Sequence, residues 1–574
     1  MIPATTQKAP KWTPKLALCL RGYTMRDFLA DLIAGLTVGL VALPLAMAFG
    51  IASGVAPQVG IYTAVVAGFI ISALGGSRAQ IGGPTGAFVV IVAGIIARFG
   101  ISGLLMVTLM AGCLLVVMGI TGLGSAVKFI PRPVTIGFTN GIALLIASTQ
   151  IKDFLGLTTP PVPSDFLGRV RVLATHLGHI DLTTTSVAAM SLIIILLVPR
   201  FTKRVPGSIV ALALATVLTA LLHLPIATIG TKFGGIPQGL PHFAIPPFRA
   251  DLILPLLPSA VTVALLAAIE SLLSAVVADG MSGDKHNSNV ELVAQGVANI
   301  VVPMVGGIPA TGAIARTATN IRSGAKSPVA GMIHALTLLL ILLVAAPLAR
   351  FIPLATLAAV LFVVAYNMGE WREIRVILRL SKADITVWAA TFLLTVVADL
   401  TVAVEVGMLL AALLYIYRVS ETTTVSTVTT DYIKTGQPHI LQDKHLPPYV
   451  SILRIHGPFL FGATEKLLEE TRNIGEFEQV VILRLRNMNA LDATGLHALE
   501  AFSDRLRQVG KTLLLCGARD QPAKLLEQGE FINHVGEANI LPHVDAALKR
   551  AKEIYEGFDG MGEDVSRSHT RMSV

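Results

Sequence analysis

The chain has 574 residues, 53% of them hydrophobic and only 14% charged, with a mean hydropathy of +0.71. That balance excludes a single water-soluble domain, because apolar runs of roughly the 20 residues needed to cross a bilayer recur as far as Tyr417. The formal charge of +8 does not mark a nucleic-acid binder, since the basic residues sit in short loops between apolar runs, where they set orientation. Cys19, Cys113 and Cys516 are widely spaced with no CxxC pair, which argues against a disulfide framework or a zinc site.

In chain order, residues 1–26 are polar and basic without a cleavable signal pattern, so they read as a cytoplasmic segment. Apolar segments follow at 30–50, 57–75, 84–99, 102–121, 131–150, 185–199, 207–224, 256–279, 289–305, 311–323, 328–348, 353–367, 384–399 and 401–417. The third and tenth are short and follow look-alike breaks, Gly82-Gly83-Pro84-Thr85-Gly86-Ala87 and Gly307-Ile308-Pro309-Ala310-Thr311-Gly312-Ala313. Seven segments per half is an odd number, so the second half is inverted relative to the first. With the N-terminus inside, Arg78, Arg132, Arg200, Lys285, Arg322, Arg372 and Arg379 face inward. Arg98, Lys152, Arg169, Lys232, Arg249 and Arg350 face outward, giving the bias that the positive-inside rule requires. The fold class expected is an α-helical polytopic membrane protein of about fourteen spans in a 7+7 inverted repeat, occupying 27–418.

A linker at 419–446 leads to a different composition. Tyr449–Ile455, Gln479–Leu485 and Thr512–Cys516 read as short strands, and Ala463–Asn473 and Thr494–Gln508 as helices. Residues 447–553 are therefore expected to form a small α/β domain, cytoplasmic by span parity, and 554–574 an unstructured tail.

Glycine and proline in an apolar run free backbone amides, which a bilayer tolerates only in a cavity or inside protein. Matched interruptions in two halves point to a transporter binding site, and two facing helix N-termini favour an anion. Thr85, Gly86, Ala87 and Phe88 are the candidates at the first break; Thr311, Ala313, Ala315 and Arg316 are their counterparts at the second. Close helix packing is the alternative for the small residues. Arg316 offers a permanent charge and a planar fork for an oxyanion, although it can instead snorkel or pair with Glu270. Glu270 and Ser274 share one helical face in the eighth span. An ionisable group at that depth is a functional candidate, here for exchanging a coupling proton; the alternative is a structural carboxylate bonded to freed amides or a basic partner. Pro44, Leu45 and Met47 are candidates for the cavity wall. The polar stretch Asp279–Glu291 lacks an EF-hand spacing and reads as a structural loop. His334, Asp399 and Glu405 read as packing or capping residues. No catalytic constellation, metal site or cofactor is expected.

The segments Asp31–Leu40, Leu43-Pro44, Gly54–Tyr62 and the run from Glu270 through Arg316 to Pro328 resemble the sulfate permease (SulP) family, relatives of the animal solute-carrier anion exchangers. Within it, Asp279-Gly280-Met281, Lys285-His286, Ala315-Arg316 and Ser327-Pro328 are similar to the bacterial C4-dicarboxylate branch. The resemblance implies core and gate domains, elevator-like alternating access, an anion site between the third and tenth spans, and a homodimer in the inner membrane with both termini cytoplasmic. It matches Glu270 to an acidic position of the family; sodium-coupled bicarbonate members carry Asp there, so Glu leans toward protons. Arg316 matches an arginine that lends positive field. The C-terminal domain resembles a STAS domain through Leu491-Asp492-Ala493-Thr494-Gly495, with motif residues Asp492, Thr494 and Gly495. Ala493 replaces the phosphorylatable serine, which leaves dimerisation or a STAS-binding cytoplasmic partner as its expected role. The function expected is proton-coupled symport of sulfate or a C4-dicarboxylate. Bicarbonate transport, uncoupled flux or exchange, and a membrane sensor signalling through the STAS domain are the alternatives.

Overall fold

The computed structural model describes residues 12–124, 131–160, 162–163, 165–202, 206–246, 249–398, 400–428 and 446–570. Asp399 and most of the expected linker lie outside them. Two compact units divide the chain, Met1–Ala411 and Ala412–Val574.

Each of the fourteen apolar segments contains helix. The first half contains α1 (Met25–Ala52), α2 (Pro57–Leu74), α3 (Gly86–Ile120), α4 (Arg132–Leu155), α5 (Leu182–Phe201) and α6 (Gly207–Leu222). The second contains α7 (Ile253–Ser282), α8 (Ser288–Val301), α9 (Ile314–Arg322), α10 (Val329–Ala349), α11 (Leu354–Met368), α12 (Lys382–Val397) and α13 (Leu400–Thr422). The third and fourth segments form one element, α3, kinked at Gly100 where φ is 68°. Among the described residues, nine helices are long and apolar enough to cross a membrane alone. Short ones such as α9, of nine residues, follow directly on a break.

Capping chemistry starts α1: Thr24 Oγ1 accepts from Asp27 N at 3.3 Å while Asp27 Oδ2 accepts from Thr24 N at 3.0 Å. Pro57 opens α2 at a position where no amide partner is lost. The helices sort into two packing groups. In one, α1 lies on α2 and α10, α3 on α8 and α7, and α7 on α9; in the other, α4 lies on α11 and α12, and α5 on α6 and α11. Small residues allow these approaches in the absence of a hydrophobic driving force between helices. A methyl added to Gly112 of α3 would meet Ile300 N of α8 at 2.7 Å, and one on Gly296 would meet Gly112 O at 2.7 Å.

Between α2 and α3, β1 (Gly82–Gly83) pairs antiparallel with β2 (Thr311–Gly312), which precedes α9: Gly82 faces Gly312 and Gly83 faces Thr311. The two breaks are thus joined backbone to backbone. Gly83 has φ +150°, and a methyl on Gly312 would lie 1.7 Å from Gln80 Nε2, so neither position accepts a side chain without rearrangement.

In the second unit, β3 (Thr424–Val428), β4 (Val450–His456), β5 (Val480–Asn487), β6 (Thr512–Cys516) and β7 (Ile540–Leu541) form one sheet in that order. The first pair is antiparallel and the others parallel. One face packs on α14 (Thr464–Glu470), α15 (Ala493–Gln508) and α16 (Asp520–Gln528) through Leu467, Leu499, Phe502 and Leu526. The other packs on α17 (Val544–Thr570) through Val544, Ala547 and Ala551. Two expectations change here. Strand β3 lies inside the stretch read as a linker, its β-branched residues pairing with β4. Residues 554–570 continue α17 instead of leaving it.

Candidate functional site

The starts of α3 and α9 open onto one cavity of about 610 Å³ within the first unit. Thr85, Gly86 and Ala87 line it from the first break, Ala313, Ala315 and Arg316 from the second, and Glu270 from α7. Leu45, Phe49, Phe138 and Leu266 supply apolar wall.

Both helix starts lack a side-chain cap. Thr85 occupies the N-cap position of α3 without capping it, and Ala313 occupies that of α9 with no group to offer. The amides of Ile314, Ala315 and Arg316 precede the first bond within α9, from Thr317 N to Ala313 O at 2.9 Å. Uncapped first-turn amides at a cavity wall are donors in want of an acceptor.

The hydroxyl that does not cap α3 donates instead to Glu270 Oε2 at 2.8 Å. Arg316 is 3% exposed, and its Nη2 donates to the carbonyl of Pro84 in the opposite break. Its Nη1 has no hydrogen-bond partner among the described residues, and a methyl on Gly83 would touch it at 2.6 Å. Among those residues no ion pair within 4.0 Å joins Arg316 to Glu270. The guanidinium is therefore held by a neutral carbonyl under β1, its charge available to the cavity.

Three expected contacts are not made. Phe88 is buried behind the first turn of α3, outside the cavity wall, because one residue past Ala87 the helix has rotated about 100°. Thr311 is turned inward and donates to Ala267 O at 2.8 Å. Ser274 lies on the Glu270 face of α7 but donates to Thr317 Oγ1 at 3.1 Å, tying α7 to α9 away from the cavity. Of the wall candidates, Leu45 lines the cavity and Pro44 and Met47 do not.

Other polar residues, not singled out from sequence, fix the breaks. Thr317 Oγ1 accepts from Ile81 N at 3.0 Å, Asn320 Nδ2 donates to Ala79 O at 2.9 Å, and Asn299 brackets Ala310, with both bonds near 2.9 Å. Gln80 Nε2 donates to Ser271 O at 3.2 Å. Their signal was position: polar side chains inside or beside apolar segments, each opposite a glycine-rich break. At the cavity's edge stand Arg132 and Glu370, with Arg132 paired to Glu373 at 2.8 Å.

A family model described as the sulfate permease family matches residues 28–391, and one described as the STAS domain matches residues 442–547. The chain belongs to the sulfate permease family. It is 43% identical over 528 residues to the Bacillus subtilis protein named "Putative sulfate transporter YvdB", covering 92% of this chain and 98% of that one. It is 32% identical over 507 residues to the bicarbonate transporter BicA of Synechocystis sp., covering 86% and 88%. Among solved structures, the transmembrane domain of a cyanobacterial BicA aligns with a TM-score of 0.60 at 33% identity, covering 68% of this chain and 98% of that one. The structure of SLC26A9 aligns with a TM-score of 0.82 over 95% of this chain and 93% of that one, which at 19% identity speaks for the fold alone. This permease is thus a multi-pass anion transporter with a C-terminal STAS domain. Its relatives are named for sulfate and bicarbonate, so the expected kinship with dicarboxylate carriers is not supported.

In the permease's STAS domain, Asp492 caps α15. Its Oδ1 accepts from Gly495 N at 2.7 Å and its Oδ2 from Phe461 N at 3.0 Å. Asp492 is thereby structural, Gly495 is buried, and Thr494 is exposed beside it. Replacing Asp492 by Ala removes both acceptors, a loss of about 1–2 kcal/mol. Hydrogen exchange at Gly495 and Phe461 in the full chain should then accelerate roughly tenfold, and unchanged protection there would show that the cap contributes nothing. Burial pushes the Cys516 thiol up to about 11, so it remains protonated at neutral pH.

Proposed function

We propose that the protein is a secondary active transporter of a small oxyanion, with sulfate as the first candidate, driven by protons that Glu270 takes up and releases. The observation that carries this reading is the pair of uncapped helix starts sharing one cavity with a buried guanidinium and a carboxyl. A helix N-terminus binds an oxyanion through amides and partial positive charge. The free Nη1 of Arg316 adds a fixed full charge beside it. Glu270, held by Thr85 at the first break, places a proton-binding group within the same site. A proton on the carboxyl removes a like charge from the anion's surroundings, so anion and proton favour one another's binding. That mutual preference is coupling in thermodynamic terms.

The division into two helix groups supports an elevator-like motion in which the group carrying both breaks moves against the other. A homodimer in the inner membrane with both termini cytoplasmic completes the proposal. Bicarbonate is the second reading, favoured by the likeness to BicA over 86% of this chain. A sensor signalling through the STAS domain is the alternative without flux.

Uptake of labelled sulfate, bicarbonate and succinate into proteoliposomes, with and without an inward proton gradient, tests the proposal. Sulfate alone should accumulate, and only with the gradient. Gradient-insensitive uptake would remove the coupling, and accumulation of bicarbonate instead would move the assignment to the second reading. No flux from folded protein would favour the sensor.

A further inference from the structure

A second cavity, of about 400 Å³, shares no lining residue with the first. Five separate stretches build it: the segment before α1 (Lys15, Arg21, Tyr23), the first turn of α1 (Asp27), the α2–β1 loop (Arg78), the α7–α8 loop (Asp284) and the α9–α10 loop (Lys326). Four cations thus face two carboxylates, and both carboxylates are engaged. Asp284 receives Lys15 Nζ at 2.8–2.9 Å and Lys285 N at 2.8 Å. Asp27 Oδ2 receives Thr24 N at 3.0 Å and Thr24 Oγ1 at 2.6 Å.

Beneath them the fully buried Asp31 accepts from Tyr23 Oη at 2.7 Å, Lys326 N at 2.5 Å, Ser327 N at 3.1 Å and Ser327 Oγ at 2.5 Å. Those bonds fix the loop whose Lys326 carbonyl accepts from Arg78 Nε at 2.5 Å. Arg78 is therefore anchored through Nε, and its two Nη groups have no acceptor among the described residues. Lys326 Nζ and the Arg21 guanidinium likewise have none there.

We propose that this cavity binds a phosphate group. A guanidinium whose Nε is already held presents a fixed two-nitrogen fork, the geometry that matches a phosphate's paired oxygens. Two further cations supply the charge that a phosphate ester requires, and the volume exceeds that of a lone halide. The phosphate can come from an anionic lipid headgroup or from a soluble phosphate ester; the chemistry at Arg78 is the same. Bound phosphate would clip together α1, α2, α7, α9 and α10, most of the helix group that carries the breaks, and so would bear on how freely that group moves.

The test uses the full chain, stripped of lipid in detergent, titrated in one arm with glycerol 3-phosphate and in the other with phosphatidylglycerol against phosphatidylcholine, with native mass spectrometry counting bound molecules. Saturable binding in the first arm identifies a soluble ester; selective retention of phosphatidylglycerol alone identifies the headgroup. In either case R78K, which keeps the charge and loses the fork, and the double variant R21Q/K326Q, whose side chains donate no hydrogen bond among the described residues, should each weaken binding roughly tenfold. K232Q, at a different surface, should leave it unchanged. Binding in neither arm, or binding equal in wild type and R21Q/K326Q, overturns the proposal, and the double variant's elution as folded protein keeps that outcome decisive.

Discussion

Proteoliposomes carrying Glu270→Gln should equilibrate labelled sulfate but never accumulate it, however steep the proton gradient. The substitution is close to isosteric, and its amide oxygen can still accept from Thr85, which donates to Glu270 at 2.8 Å in the wild type. The helix start and the cavity wall are therefore expected to survive. What disappears is the only carboxyl that the cavity receives from α7. Gradient-driven uptake should fall to the equilibrium level, whereas exchange of internal for external sulfate should continue and lose its dependence on pH. An E270Q protein that still concentrates sulfate against a gradient would place the coupling group elsewhere. One that neither accumulates nor exchanges, while folded, would make Glu270 part of the anion site itself.

The second large effect belongs to Arg316. In Arg316→Lys the charge stays, but an ammonium cannot both hold the Pro84 carbonyl and present a second donor to the cavity in the guanidinium's geometry. Losing a charge-assisted hydrogen bond costs about 1.5–3 kcal/mol, so the half-saturating sulfate concentration should rise by roughly tenfold to a hundredfold. Arg316→Gln removes the charge as well, and the effect should be larger and more sensitive to anion valence. Uptake kinetics across a sulfate series settle the matter. A lysine variant with unchanged half-saturation would mean that Arg316 serves only to splice the two breaks.

Much of this architecture was legible because its causes are local. Apolar runs of bilayer length and two Gly-Pro interruptions gave the helices, the two sets of seven and the cavity between the third and tenth spans. Charge in an apolar run singled out Glu270 and Arg316, and both line that cavity. What escaped depends on phase and partners. Phe88 sits one residue past Ala87, and that rotation takes it out of the wall. Ser274 shares a helical stripe with Glu270, yet it was claimed by Thr317, a residue 43 positions away whose approach no periodicity reveals. The pairing of β1 with β2 was equally hidden, since two residues per strand give no alternation to read. Strand β3 follows a long helix so closely that its five residues passed for a connector.

The direct pairing of Gly82 with Gly312 and Gly83 with Thr311 assigns two tasks to different parts of the molecule. A clasp of backbone from both halves, braced by Gln80, Thr317 and Asn320, has no slack with which to fit itself to a guest. If the proposed anion site is right, charge selection by the amides and the guanidinium attached to that clasp is a constant of the scaffold. Size selection would then fall to the apolar wall, where Phe49, Phe138 and Leu266 line the cavity. New anion preferences should therefore arise by repapering the walls, with the clasp inherited unaltered from one specificity to the next.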